Sequence, residues 1–275
     1  MRTSFRILSA ALLLLATSWL GGCKPAPSEA SNASRPLKVG VNPVPHGDIL
    51  RVAARVAERD GVRVEVVEFT DYIQPNLALA DGQLDANYFQ HEPYLERFAG
   101  ERHLALKSVG AVHLEPLALY SLRFRQLAEL PTGAKLTLPA DPSNAARALH
   151  LLAKQGLLTL REGAGADATL QDVVGNPRKL DLRELDAEQQ PRTLEDVDGA
   201  VINGNYFLEA QKQLHLDAHV LARESATRNP HANVLAVRAG DEARPEIRAL
   251  VKALQSDEVR RYIDATYGGA VIPAF

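Results

Sequence analysis

The residues that could bind or react are few and far apart in the chain. Arg147 lies near the start of an apolar-periodic helix expected from Ala145 to Gln155. There a guanidinium fork and the positive end of a helix dipole would together receive a carboxylate. Asn203 follows the short strand expected at Ala200-Val-Ile202, and Asn233 opens another after an Asn229-Pro230 turn. One fixed cation and two carboxamides suit an amino acid, whose carboxylate wants the cation and whose ammonium wants carbonyl acceptors. A fourth feature is the run Asp85-Ala-Asn-Tyr-Phe-Gln-His-Glu-Pro-Tyr94, which crowds three aromatics, an imidazole and two amides into ten residues. So polar and aromatic a stretch is expected to make a poor core strand. It suits the wall of a small-molecule pocket, where rings supply area and a few polar groups set orientation.

Other chemistries find less support. The chain has no Gly-x-Ser-x-Gly elbow and no phosphate-binding Gly-x-x-x-x-Gly-Lys-Ser/Thr loop. Gly163-Ala-Gly165 lacks the third glycine and the preceding strand of a dinucleotide loop. An enzyme is therefore not expected, and no cofactor is implied. A formal net charge of -3 without a basic patch speaks against nucleic acid. Metal capture is the alternative: His215 and His219 have the spacing of two ligands on one helix face, and the remaining histidines are scattered. On that reading the protein would be a zinc or manganese receptor of an importer.

The elements that must position these groups follow from periodicity. Residues 1–22 read as a signal peptide: Arg2 and Arg6 precede the apolar run Ile7–Leu20, and small residues lead to Cys23, the chain's single cysteine. Leu20-Gly-Gly-Cys23 resembles the lipobox of bacterial lipoproteins, which implies lipidation at Cys23. Residues 23–36, rich in Pro, Ser, Ala and Asn, read as a flexible tether. Next come a strand at Leu37–Val41, a loop at Asn42–Gly47, a helix from Asp48 and a strand at Val62–Val66: a βαβ unit and a parallel sheet. The pattern restarts at Lys135–Leu138. It continues through the Ala145 helix capped by Ser143 or Asn144, a short helix at Thr169–Val174, a strand at Leu180–Leu185 and a helix opening at Thr193-Leu-Glu-Asp196. Two α/β lobes with ligand between them are expected, a clamshell.

Several segments resemble, in order and spacing, the methionine-binding lipoproteins of bacterial ABC importers. They are Asp71-Tyr-Ile-Gln-Pro-Asn76, Asp85-Ala-Asn-Tyr-Phe-Gln-His91 with Pro93-Tyr94, Asp141-Pro-Ser-Asn144 with Arg147, Ala200-Val-Ile-Asn-Gly-Asn205 and Ala232-Asn-Val234. The resemblance implies an α/β, two-lobed periplasmic-binding-protein fold of type II-like form. Its first lobe would be discontinuous, residues 37–115 plus 230–275, and its second would be 116–229. It also implies that Arg147 holds the ligand carboxylate, that Asn203 and Asn233 contact the α-amino and carboxylate groups, and that Tyr72, Phe89, His91 and Tyr94 surround the thioether. The implied partners are methionine or an analogue, a membrane permease with its ATPase, and the lipid bilayer through Cys23, facing the periplasm or cell exterior. The chain departs from the family pattern at Asn229-Pro-His231, where Ser-Pro-Tyr is usual, at Asn42 and at Asp141.

Overall fold

The computed structural model describes residues 35–275, so the expected signal peptide, Cys23 and nearly all of the tether lie outside the described residues. Strand β1 (Leu37–Val41) buries Leu37, Val39 and Val41. The expected Asn42–Gly47 loop is a single closed turn, with Gly47 N donating to Asn42 O at 2.9 Å, and it is buried. It feeds helix α1 (Asp48–Arg59), whose Ile49, Val52, Ala53 and Ala57 fall three or four apart and face the core. Gly61, at φ 79°, takes the left-handed turn that releases the chain into β2 (Val64–Glu68). Helix α2 (Gln74–Ala80), strand β3 (Ala86–His91), helix α3 (Glu92–Arg102) and strand β4 (Leu106–Leu114) complete the first passage.

The chain then crosses at Glu115–Leu117 into a second sheet. Its elements are β5 (Ala118–Ser121), β6 (Lys135–Pro139), α4 (Pro142–Lys154), the hairpin β7 (Thr159–Leu160) and β8 (Val173–Gly175), β9 (Asp181–Leu185), α5 (Gln190–Thr193), β10 (Gly199–Ile202), α6 (Gly204–Leu214) and β11 (His219–Arg223). A second crossing, Glu224–His231, returns to β12 (Ala232–Arg238), α7 (Pro245–Leu254), α8 (Asp257–Tyr267) and β13 (Ile272–Pro273). The first sheet runs β13-β4-β12-β3-β1-β2 and the second β11-β5-β10-β6-β9. In the first, β1 is parallel to β2 and β3, while β12 lies antiparallel between β3 and β4. In the second, β6 is parallel to β9 and β10.

Helices cover both faces of the first sheet. Ile49 and Leu50 of α1 pack with Ile247, Leu250 of α7 and Val259, Ile263 of α8 on one side. Leu79 of α2 and Leu95 of α3 pack on the other. Each such side chain withdrawn from water contributes roughly 1.5–3 kcal/mol before its ordering entropy is charged against it.

Four local expectations are corrected. The Asp85–Tyr94 run is not a poor core strand: all six residues of β3 are buried. A strand sandwiched between helices must bury both faces. Its polar members are tolerated because Asn76, on α2, exchanges hydrogen bonds of 2.7–2.8 Å with Gln90 and Asn87. Helix α4 starts at Pro142, and its cap is Asp141, which accepts from Asn144 N, rather than Ser143 or Asn144; Pro at the first helical position draws the start upstream. Thr169–Val174 is one 3-10 turn, Leu170–Asp172, followed by a strand, because Asp172 accepts from both Thr169 N and Oγ1 and closes the turn locally. Thr193 does not open a helix but ends α5, its hydroxyl donating back to Gln190 O at 2.8 Å.

Candidate ligand-binding site

The cleft lies where the ends of β3 and β10 approach α4 and both crossings. Arg147, one and a half turns into α4, is buried and clasps the two crossings at once. Its Nε and Nη2 donate to the Glu224 carboxylate at 2.8 and 2.7 Å, and Nη2 also donates to Glu115 O at 2.9 Å. Glu224 further accepts from Leu117 N at 3.0 Å. Burial works to raise the Glu224 carboxyl, but the bonds and charge of Arg147 outweigh it and hold it below its ordinary value. One guanidinium edge is thus committed, and Nη1 is the nitrogen left for a ligand.

A lattice of amides fixes which atom each asparagine shows the cleft. Asp141 accepts from Asn144 Nδ2 with both oxygens at 3.0 Å, so Asn144 Oδ1 is turned the other way. That oxygen meets His91 Nε2 at 3.1 Å and Asn203 Nδ2 at 2.9 Å. His91 accepts from Tyr94 N through Nδ1 at 3.2 Å, so its proton sits on Nε2. Burial, then the neighbouring Arg147, pushes His91 well below the ordinary imidazole range, and it is neutral. Asn203 has its amino group occupied and its Oδ1 buried without a partner, as is Asn205 Nδ2. Asn233 is arranged the opposite way: its Oδ1 is met by His46 Nε2 at 3.1 Å, which leaves its Nδ2 for the cleft. Asn203 therefore offers an acceptor and Asn233 a donor, as the two ends of an amino acid require.

Aromatic rings form the other wall. The Tyr72 ring is 5.8 Å from Phe89, 5.6 Å from Tyr94 and 4.9 Å from Tyr206. Tyr72 and Tyr206 join the lobes: the Tyr72 hydroxyl donates to Asn205 Oδ1 at 2.5 Å and the Tyr206 hydroxyl to Thr70 O at 3.2 Å. At the floor lies Glu115, buried, its Oε1 2.7 Å from His113 Nε2 and 3.5 Å from His46 Nε2. These three groups are the arrangement that could hold a metal ion among the described residues. Burial lowers His46 to about 4 and His113 to about 3, and raises Glu115. His215 and His219 do not form a site of their own. His215 closes α6 in a left-handed conformation, and His219 starts β11.

A family model described as NlpA lipoprotein matches residues 37–275. The chain belongs to the NlpA lipoprotein family. It is 40% identical to the membrane lipoprotein TpN32 of Treponema pallidum over 86% of this chain and 87% of that one. It is 38% identical to a probable D-methionine-binding lipoprotein, MetQ, of Vibrio cholerae over 98% of this chain and 99% of that one. Among solved structures, a nutrient binding protein from Burkholderia cenocepacia bound to methionine superposes with a TM-score of 0.82 at 46% identity, covering 87% of this chain and all of that one. The two-lobed substrate-binding fold is thus shared with these family members.

All seven residues singled out from the sequence, Tyr72, Phe89, His91, Tyr94, Arg147, Asn203 and Asn233, line one cleft. Sequence reasoning missed Gln90, Glu115, Asn144, Gly204 and Asn205, which line it too. Gln90, Asn144, Gly204 and Asn205 stand inside the family-like segments, where Asn144 reads only as a possible helix cap. Glu115 directly follows β4, with its partner His113 two residues back in that strand and its neighbour His46 in the turn before α1. His231 does not line the cleft. It stands half-buried with its ring edge-on to His91 at 4.9 Å, so it supports the pocket wall from behind.

Proposed function

We propose that this protein is the substrate-binding lipoprotein of an ABC importer, which captures methionine or a close analogue and delivers it unchanged to a membrane permease driven by an ATPase. The observation that carries the reading is the buried, partnerless Asn203 Oδ1, set in the same cleft as Arg147 and Asn233 Nδ2. A buried acceptor without a donor costs about 1–3 kcal/mol, and a ligand ammonium placed there removes that cost. The rings of Tyr72, Phe89 and Tyr94 suit a thioether, since sulfur against an aromatic edge contributes roughly 0.3–1.5 kcal/mol. The names of the Vibrio cholerae relative and of the methionine-bound neighbour support the same ligand.

The remaining architecture belongs to this proposal. Residues 1–22 are removed, Cys23 carries lipid, and residues 23–36 tether a body facing the periplasm or cell exterior. That body hinges at the two crossings, with residues 37–115 and 230–275 in one lobe and 116–229 in the other. No helix among the described residues is long and apolar enough to cross a membrane. The test is native mass spectrometry of protein purified without refolding, followed by calorimetry with L- and D-methionine. A retained mass equal to methionine supports the reading; a protein that binds neither isomer overturns it. The cation alternative keeps one observation, the His46, His113 and Glu115 grouping, and a retained zinc or manganese ion in the same spectrum would favour it.

A further inference from the structure

Strands β7 and β8 form a small sheet of their own, and the loop between them reaches from the second sheet's side of the molecule to the first's. The loop is built rather than slack. At its base Arg161 N donates to Asp172 O at 2.7 Å, the two side chains form an ion pair, and Asp172 accepts from Thr169 N. Two closed turns lie between, Ala164 N to Arg161 O at 3.0 Å and Ala168 N to Gly165 O at 3.1 Å. Gly163, at φ 79°, supplies the left-handed residue inside the first of them. From α4, His150 donates through Nε2 to Gly165 O at 2.8 Å, which pins the loop to the helix that carries Arg147. The tip is Asp167. Its side chain is 85% exposed, so packing does not hold it there, yet it pairs with Arg97 of α3 across the gap. Arg97 is steadied for that contact by Glu101, one turn along α3, which accepts from its Nε at 2.9 Å.

We propose that residues 161–168 are a strap across the closed clamshell, with Asp167–Arg97 as its clasp and His150 as its positioning residue, and that the clasp sets how long a captured ligand is held. The inference rests on the clamshell and amino-acid readings given above. Ion pairs such as Arg147–Glu224 and Arg123–Asp198 lie within residues 116–229, and Arg59–Glu258 lies within the other lobe. Parting the lobes leaves those pairs intact, whereas it must break Arg97–Asp167. The bonds of Tyr72 to Asn205, Tyr206 to Thr70 and His91 to Asn144 also cross between the lobes, but they join uncharged groups. The clasp stands on an open groove lined by Arg97, Gly165, Asp167 and Asn229, so dissolved ions reach it and screen it. Methionine near neutral pH is a zwitterion without net charge, and its approach to the cleft owes little to ionic strength. Salt therefore acts on how long the ligand is held rather than on its capture, and a salt-dependent dissociation rate is the signature of the clasp.

The experiment is stopped-flow with methionine on the full soluble body, at about 0.01 M and about 1 M salt, between which the screening length falls from about 30 Å to about 3 Å. Wild type should release methionine about 1.5- to 5-fold faster at high salt, the range of one exposed pair, and capture it at an unchanged rate. Asp167→Asn should show the fast release at both salts. Arg97→Gln should do the same, and the double variant should match either single change, because the three remove one interaction. His150→Ala should also speed release, whereas His150→Gln, which keeps an N–H donor for Gly165 O, should stay near wild type. Release from wild type that ignores salt would overturn the proposal, and that result needs no variant to fold. So would an Asp167→Asn protein that keeps the slow, salt-sensitive release, or effects of the two single changes that add. A wild type that binds no methionine overturns the amino-acid reading and the role of the clasp with it, whereas binding with salt-blind release overturns the clasp alone.

Discussion

Replacing Arg147 with methionine keeps the length and apolar stem of the side chain and removes only the charge and its donors. Three protein hydrogen bonds are lost, two from Glu224 and one from the Glu115 carbonyl. Removing one partner of a buried pair costs about 3–5 kcal/mol, chiefly because the other charge stays behind. Here that charge is Glu224, whose side chain is mostly buried and which would now face a ligand carboxylate of the same sign. Affinity for methionine should fall at least about a hundredfold, equivalent to ~2.7 kcal/mol. Glu224→Gln alone should weaken binding by less than about tenfold, since a neutral amide still accepts from the guanidinium. The double variant should bind about tenfold better than Arg147→Met alone, because the stray charge has gone. Calorimetry on protein stripped of ligand gives the three affinities, and a thermal melt checks that each variant folds. Wild-type affinity in Arg147→Met, or strict additivity in the double variant, would refute the argument that one guanidinium serves both carboxylates.

Gly204→Ala should weaken methionine binding while sparing the melting temperature of the empty protein. The added Cβ would come within 2.8 Å of Glu115 and push the carboxylate off its seat, a shift that paired melts and titrations would separate from unfolding. Tyr72→Phe removes the hydroxyl that bonds Asn205 across the lobes, so stopped-flow should show ligand dissociation faster by about two- to tenfold, on the scale of one hydrogen bond. Stability should fall as pH is lowered from about 6.5 toward about 4. An unfolded chain protonates His46 and His113 near the ordinary 6.5, whereas the folded one keeps them neutral to about 4 and 3, so acid favours the unfolded state. Urea midpoints at about pH 7 and pH 5 measure this, and the slope should shrink in His46→Gln.

Periodicity made the helices and the alternation of strands legible, because burial on one stripe leaves a repeat in the sequence. It failed where a side chain rather than a repeat decided the backbone, as at Asp141, Asp172 and Thr193. It failed differently at β3, where the sequence looks too polar for a core. The amide of Asn76 that satisfies Asn87 and Gln90 lies on α2, and only the fold brings it there. The cleft was legible in its ligand-facing half: Arg147, Asn203, Asn233 and the rings. What lay hidden was the layer that aims those groups. Asn144 turns Asn203 and His46 turns Asn233, each across a chain separation that no local pattern records.

The place of β12 has a consequence for how the protein is made. Strands β3 and β4 cannot pair with each other, because residues 232–238 lie between them in the finished sheet. All strands of the second sheet fall within residues 118–223. A chain delivered from its N-terminus can therefore close the second sheet while the first still carries two bare inner edges, and such edges invite pairing with other chains. The sheet that begins first in sequence cannot close between β3 and β4 until residues 232–238 arrive.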